Sequence, residues 1–198
     1  MSPPDSLCLD FANTLSWRTS EKPEEKLGSY AALVEWGRKT GIVSARESRE
    51  MLQAGKTSKG VLKRAVSLRE SIYRILAAQA AGRRARPSDL AILNETVREA
   101  LGHLRLVPQA KSFAWRWPAD SDAARRILWA VARSAAELLT SDHLGAVREC
   151  AGAGCGWLFL DLSRNRSRRW CAMSDCGNRE KARRHYQRVR QARVAPHD

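Results

Sequence analysis

The chain has 198 residues, enough for one medium domain with a small appended module, and 43% hydrophobic with 28% charged residues exclude a disordered or fibrous class. Thirty-five basic against 21 acidic residues give a net charge of +14, a field that draws polyanions and says nothing about fold. Nucleic acid is the first candidate partner and acidic lipid the second, because no basic helix here also carries a wide apolar face. Met1 to Asp5 form no basic leader, and the apolar stretch from Ile127 to Leu139 is interrupted by Arg133 and Glu137. The expectation is a cytoplasmic protein without a membrane span.

In chain order, Leu7 to Leu15 is apolar with Asp10 and Asn13 embedded in it, and its pattern does not decide between helix and strand. Glu21 to Lys26 reads as a polar loop. Ser29 is an N-cap for a helix that stops at Gly41, and Ser44 with Glu47 has the spacing of a capping box. A long helix follows over 58–81, ended by Gly82 and Pro87, and Ser88 should cap the next one through Leu101. Leu104 to Val107 and Lys111 to Trp117 read as a hairpin, with Phe113, Trp115 and Trp117 on one face. The tryptophans of this first part of the chain are expected to pack in its core rather than to form a ligand platform. Pro118 closes the strand, and Ser121 or Asp122 opens a helix to about Leu139. Residues 1–147 thus read as a mainly helical α+β domain with a small antiparallel sheet, and residues 148–198 as a separate finger.

Four of the five cysteines fall in that finger, spaced Cys150-x4-Cys155-x15-Cys171-x4-Cys176. Tetrahedral zinc takes four thiolates at about 2.3 Å, and paired cysteines on tight turns supply them two at a time. Cys155 and Cys176 are each followed by glycine, Gly156 and Gly177, which allows a turn under the metal without a Cβ clash. Reduced core cysteines or two disulfides are the competing readings. A piece this short cannot bury an adequate core alone, which favours one structural zinc. Trp157 to Asp161 and Arg168 to Trp170 read as a hairpin, and Arg179 to Arg193 as a helix with Ala182, Tyr186 and Val189 inward. Knuckle, hairpin and helix together describe a treble-clef-like zinc finger with four cysteine ligands.

From Arg164 onward ten arginines and one lysine face three acids. Four thiolates and one zinc leave two negative charges to balance, so the excess exceeds what the site needs. Arg166, Arg168, Arg179, Arg183, Arg184 and Arg188 are the candidate phosphate contacts. A solvated helix face is the alternative. Such contacts position a protein on nucleic acid without reading sequence.

Cys176-Gly177-Asn178-Arg179, with Cys155 to Asp161, Ser163-Arg164-Asn165 and Arg169 to Met173, resembles the bacterial CGNR zinc-finger proteins. Leu9-Asp10-Phe11-Ala12-Asn13-Thr14 resembles the signature of the ABATE domain that precedes the finger in that family. The resemblance implies zinc on the four cysteines, DNA rather than RNA as partner, and a role in stress-induced transcription regulation. It leaves the roles of Asn178 and Arg179 open.

Asp10 and Asn13 either brace backbone groups or form the polar corner of a pocket for a small-molecule effector. Cys8 is expected to be buried. No phosphate loop, nucleophile elbow or histidine–carboxylate motif is present, and four cysteines would close the zinc shell, so no catalytic residue is expected. RNA binding, a protein-interaction finger and a homodimer remain the other readings.

Overall fold

The computed structural model describes residues 6–54, 58–118 and 122–194. The ambiguous first segment is a short helix, α1 (Leu7–Ala12), which buries Cys8, Leu9, Phe11 and Ala12. It leads into β1 (Leu15–Ser16), which pairs antiparallel with β2 (Glu24–Glu25) inside the stretch expected to be a loop. Charge explains that pairing. Glu25 receives both ends of the Arg69 guanidinium at 2.6 and 2.7 Å, and Arg69 is itself 2% exposed.

Next come α2 (Tyr30–Lys39) and α3 (Ala45–Ala54). Ser29 caps α2 through the Ala32 N–H, and Ser44 and Glu47 exchange side-chain and backbone bonds as a reciprocal box. The long α4 (Ser58–Ala80) forms the spine, with Ala65, Leu68, Ile72 and Leu76 buried along one side. In α5 (Pro87–His103) the expected Ser88 cap is not made. Pro87 occupies the first turn and Arg86 the cap position without a side-chain bond, because the fixed φ of proline starts a helix unaided. The hairpin β3 (Arg105–Pro108) and β4 (Phe113–Arg116) forms in the register Leu106 with Trp115 and Pro108 with Phe113.

Asp122 caps α6 (Ala123–Leu139) through the Ala124 N–H, while Ser121 lies outside the described residues. This helix is apolar on most sides and packs against α1, α4 and α5. The resulting core holds Phe11, Leu33, Leu68, Leu76, Ile127 and Leu138. The expectation that the tryptophans are core holds for Trp129, at 2% exposure, and fails for the hairpin. Phe113 and Trp115 are 68% and 55% exposed, since among the described residues nothing closes over the apolar face of the two-stranded sheet. Trp117 leaves the strand and donates its indole N–H to the Ala100 carbonyl at 2.9 Å.

After a 3-10 turn, β5 (Val147–Glu149) pairs antiparallel with β6 (Leu158–Leu160). The expected hairpin partner was Arg168 to Trp170, which is irregular. The Asp161 carboxylate accepts from the Ser163 N–H and hydroxyl and from the Arg168 N–H, which curls the chain into a loop before it can pair. A π-helical turn (Met173–Gly177) runs into α7 (Asn178–Val194). Ala182 and Tyr186, expected to face inward, are exposed, and Val189 is half-buried. This helix packs chiefly against the π-turn, so it lacks a broad second surface on which to bury a stripe. Among the described residues no helix is long and apolar enough to cross a membrane.

Candidate metal centre and the basic helix beside it

The knuckle Cys150 to Cys155 sits at the tip of the β5–β6 hairpin, and of the second pair Cys171 precedes the π-turn that opens α7 while Cys176 lies within it. The four sulfurs lie within 4.8 Å of one another. Cys155 to Cys171 is 3.8 Å and Cys171 to Cys176 is 3.6 Å. Sulfurs at zinc–thiolate bond length on a tetrahedron are about 3.8 Å apart. None of these cysteines forms a disulfide, and the four fit one structural zinc ion.

Local backbone geometry builds this cluster. Gly154 and Gly156 take φ of +76° and +65°, conformations that glycine adopts without Cβ strain. A Cβ on Gly152 would stand 3.1 Å from Cys176 Sγ, and one on Gly177 would stand 2.5 Å from Met173 Sδ. The Gly152 and Cys171 N–H groups donate to Cys150 Sγ at 3.4 and 3.3 Å. Burial alone would raise the Cys150 thiol, and these two donors outweigh it and hold the thiol below its ordinary value. Burial pushes Cys155 up to about 12, and burial with the neighbouring Cys155 charge pushes Cys171 up as well. Four sulfurs this close need a cation between them before all can ionise.

Around the sulfurs, cations are laid on rings. Arg168 lies 4.8 Å from the Phe159 ring centre, Arg169 5.5 Å from Trp170, and Lys26 5.2 Å from Trp157. Arg179 donates to Cys176 Sγ at 2.9 Å, pairs with Asp175 at 3.4 Å and stacks 4.0 Å over Trp17. Trp17 belongs to the β1–β2 arm of the first domain and is held at φ +55°. The same arm donates the Arg18 N–H to the Cys155 carbonyl at 3.2 Å. Nothing in the spacing of Trp17 or Arg18 marks them in sequence, because their partners lie more than a hundred positions away.

The arginines named from sequence therefore divide. Arg168 bonds the Cys171 carbonyl at 2.7 Å and Arg179 braces a sulfur, so both are tied into the finger. Arg166, Arg183, Arg184 and Arg188 are exposed, and Glu180 orients Arg183 and Arg184 at 3.1 Å. Asn13 uses both ends of its amide on Leu158, donating to its carbonyl at 2.8 Å and accepting from its N–H at 2.9 Å. Asp10 is exposed. The backbone-bracing reading fits Asn13.

Replacing Arg179 by Gln removes a charged donor from a thiolate. Outer-shell changes of this kind cost about 10–100-fold in metal affinity. Zinc release to a competing chromophoric chelator should accelerate accordingly, with Arg179→Lys intermediate. Unchanged release would refute the bracing role.

A helical α+β domain carrying a four-cysteine zinc finger is the class that fold and site define. The chain belongs to the ABATE family, described as "Putative stress-induced transcription regulator", which matches residues 5–142, and a CGNR zinc finger matches residues 146–189. Neither description names an enzymatic activity. Comparison with curated proteins found no match to the chain.

Proposed function

We propose that the chain is a zinc-dependent transcription regulator whose finger contacts DNA through phosphates, while its N-terminal domain senses a small molecule. The observation that carries the DNA half is the asymmetry of the cation excess. Arg168, Arg169 and Arg179 are engaged with rings, carbonyls or sulfur of the finger, whereas Arg183 and Arg184 share the one carboxylate of Glu180 and, with Arg188, project from a helix that packs chiefly at its root. A cationic helix that packs chiefly at its root is suited to lie along a phosphate backbone, and the single Glu180 carboxylate leaves Arg183 and Arg184 with a net positive charge. Arg166 adds a fourth cation from the loop before the second cysteine pair.

Salt dependence tests this. Neutralising four phosphates of duplex DNA predicts a slope of log K against log salt of roughly −3.6. Substituting Arg183, Arg184 and Arg188 together by Gln should flatten it by roughly 2.7. Arg168→Gln should leave the slope unchanged while loosening the loop. Salt-independent binding, or none to any duplex, would instead support a protein-interaction finger, and tighter binding to RNA would replace DNA as the target.

A further inference from the structure

An apolar opening lies in the first domain. It is a cleft of about 410 Å³ between α5, α6 and the β3–β4 hairpin. Val97, Ala100 and Leu101 form one wall, Ala136 the facing one, and Leu104 and Trp115 the roof. Its volume falls within the range of small-molecule sites, which are concave, mostly apolar and carry a few placed polar groups. Leu101 and Trp115 at the mouth are 58% and 55% exposed, large apolar surfaces that a folded chain ordinarily covers.

The polar lining groups all come from α6 and its C-cap: Arg133 and Glu137 pair at 2.7 Å, and Thr140 donates its hydroxyl to the Ala136 carbonyl at 2.9 Å. The pair cancels its own charge, so this wall of the cleft is neutral on a molecule of net charge +14. An acidic or basic head group would have to draw one partner away from the other. A hydroxyl, an aryl amine or an amide need not, because it can give a hydrogen bond to Glu137 or Thr140, and a hydroxyl or amide can accept one from Arg133.

From this we infer that the cleft binds an uncharged, flat, mostly apolar molecule carrying one hydrogen-bonding group. The site deepens the sensor half of the proposed function, and its test omits nucleic acid, so failure here leaves DNA contact by α7 standing, and the reverse.

Two fluorescent probes with one ring skeleton decide it: neutral N-phenyl-1-naphthylamine and its sulfonated relative 8-anilinonaphthalene-1-sulfonate. The zinc-loaded full chain should bind the neutral probe at one site. Ala136→Trp, which fills the cleft, and Leu101→Glu, a change at an already exposed position, should each weaken that binding at least about tenfold. The portion of sulfonate binding that Ala136→Trp removes should be the weaker of the two, although the positive field favours an anion. Neutral-probe binding that is absent, multisite or indifferent to both variants overturns the inference. So does a stronger variant-sensitive site for the sulfonate, or a dimer in sedimentation whose formation expels the probe.

Discussion

Exhaustive chelation of the reduced protein is expected to release one zinc per chain and to dissolve the C-terminal finger. The small cluster around the metal contains Cys150, Cys155, Phe159 and Cys176, with Trp157 and Trp170 against it. That is too little apolar surface to hold the finger without the ion. A structural zinc contributes about 10–16 kcal/mol of apparent binding energy, much of it as folding stability. Hydrogen exchange should therefore lose protection across the finger, with α7 melting because the π-turn is its chief packing partner. Cys155→Ser should act like chelation, since one missing thiolate opens the shell. The first domain should keep its helices, losing stability in proportion to the strand it shares with the finger. A chelated chain whose α7 stays protected would refute the account.

Replacing Arg69 by Ala should be the most damaging single change outside the metal site. Its guanidinium is 2% exposed, binds Glu25 with two bonds and reaches Glu70 at 2.9 Å. Breaking one side of a fully buried pair costs about 3–5 kcal/mol, and the cost here should fall below that range, because Glu25 is 36% exposed and water compensates part of its charge. Burial alone would raise the Glu25 carboxyl, and the Arg69 bonds outweigh it and hold it below its ordinary value. In Arg69→Ala that carboxyl should titrate higher, nearer its unfolded value, so the stability gap between parent and variant should be full at neutral pH and narrow as acid protonates Glu25 in the parent. Glu25 anchors the β1–β2 arm that carries Trp17 and Arg18 to the finger. Denaturant midpoints should fall in the variant, and zinc release should quicken as the arm loosens. Combining Arg69→Met with Glu25→Gln should restore much of the loss, because no buried charge is then stranded.

Helices written with caps and a long apolar period were legible in the sequence. Ser29, Ser44 with Glu47, and Asp122 each do locally what their positions suggest. The four cysteines were legible for a different reason: thiolates at that spacing have few other uses. What escaped is long-range. β5 pairs with β6 across the knuckle, whereas Arg168 to Trp170 are drawn into a loop by Asp161, and no local pattern announces a carboxylate that will collect three donors. The alternation in β4 correctly implied a two-sided strand, but period two states only that a face is apolar. It cannot say whether another layer exists to cover that face. Likewise, charge marked Arg168 and Arg179 as cations without telling that rings, a carbonyl and a sulfur would claim them.

β6 has a consequence for how the chain could be taken apart. Leu158 belongs to the large core and Phe159 to the metal cluster, with Leu160 against the large core again. Adjacent residues of three thus serve opposite sides. A recombinant cut between positions 147 and 148 would strip one half of a buried leucine and strand the Asn13 amide. The loaded chain should therefore melt in a single thermal transition, and shuffling fingers between relatives should succeed only when β6 travels with a matching host.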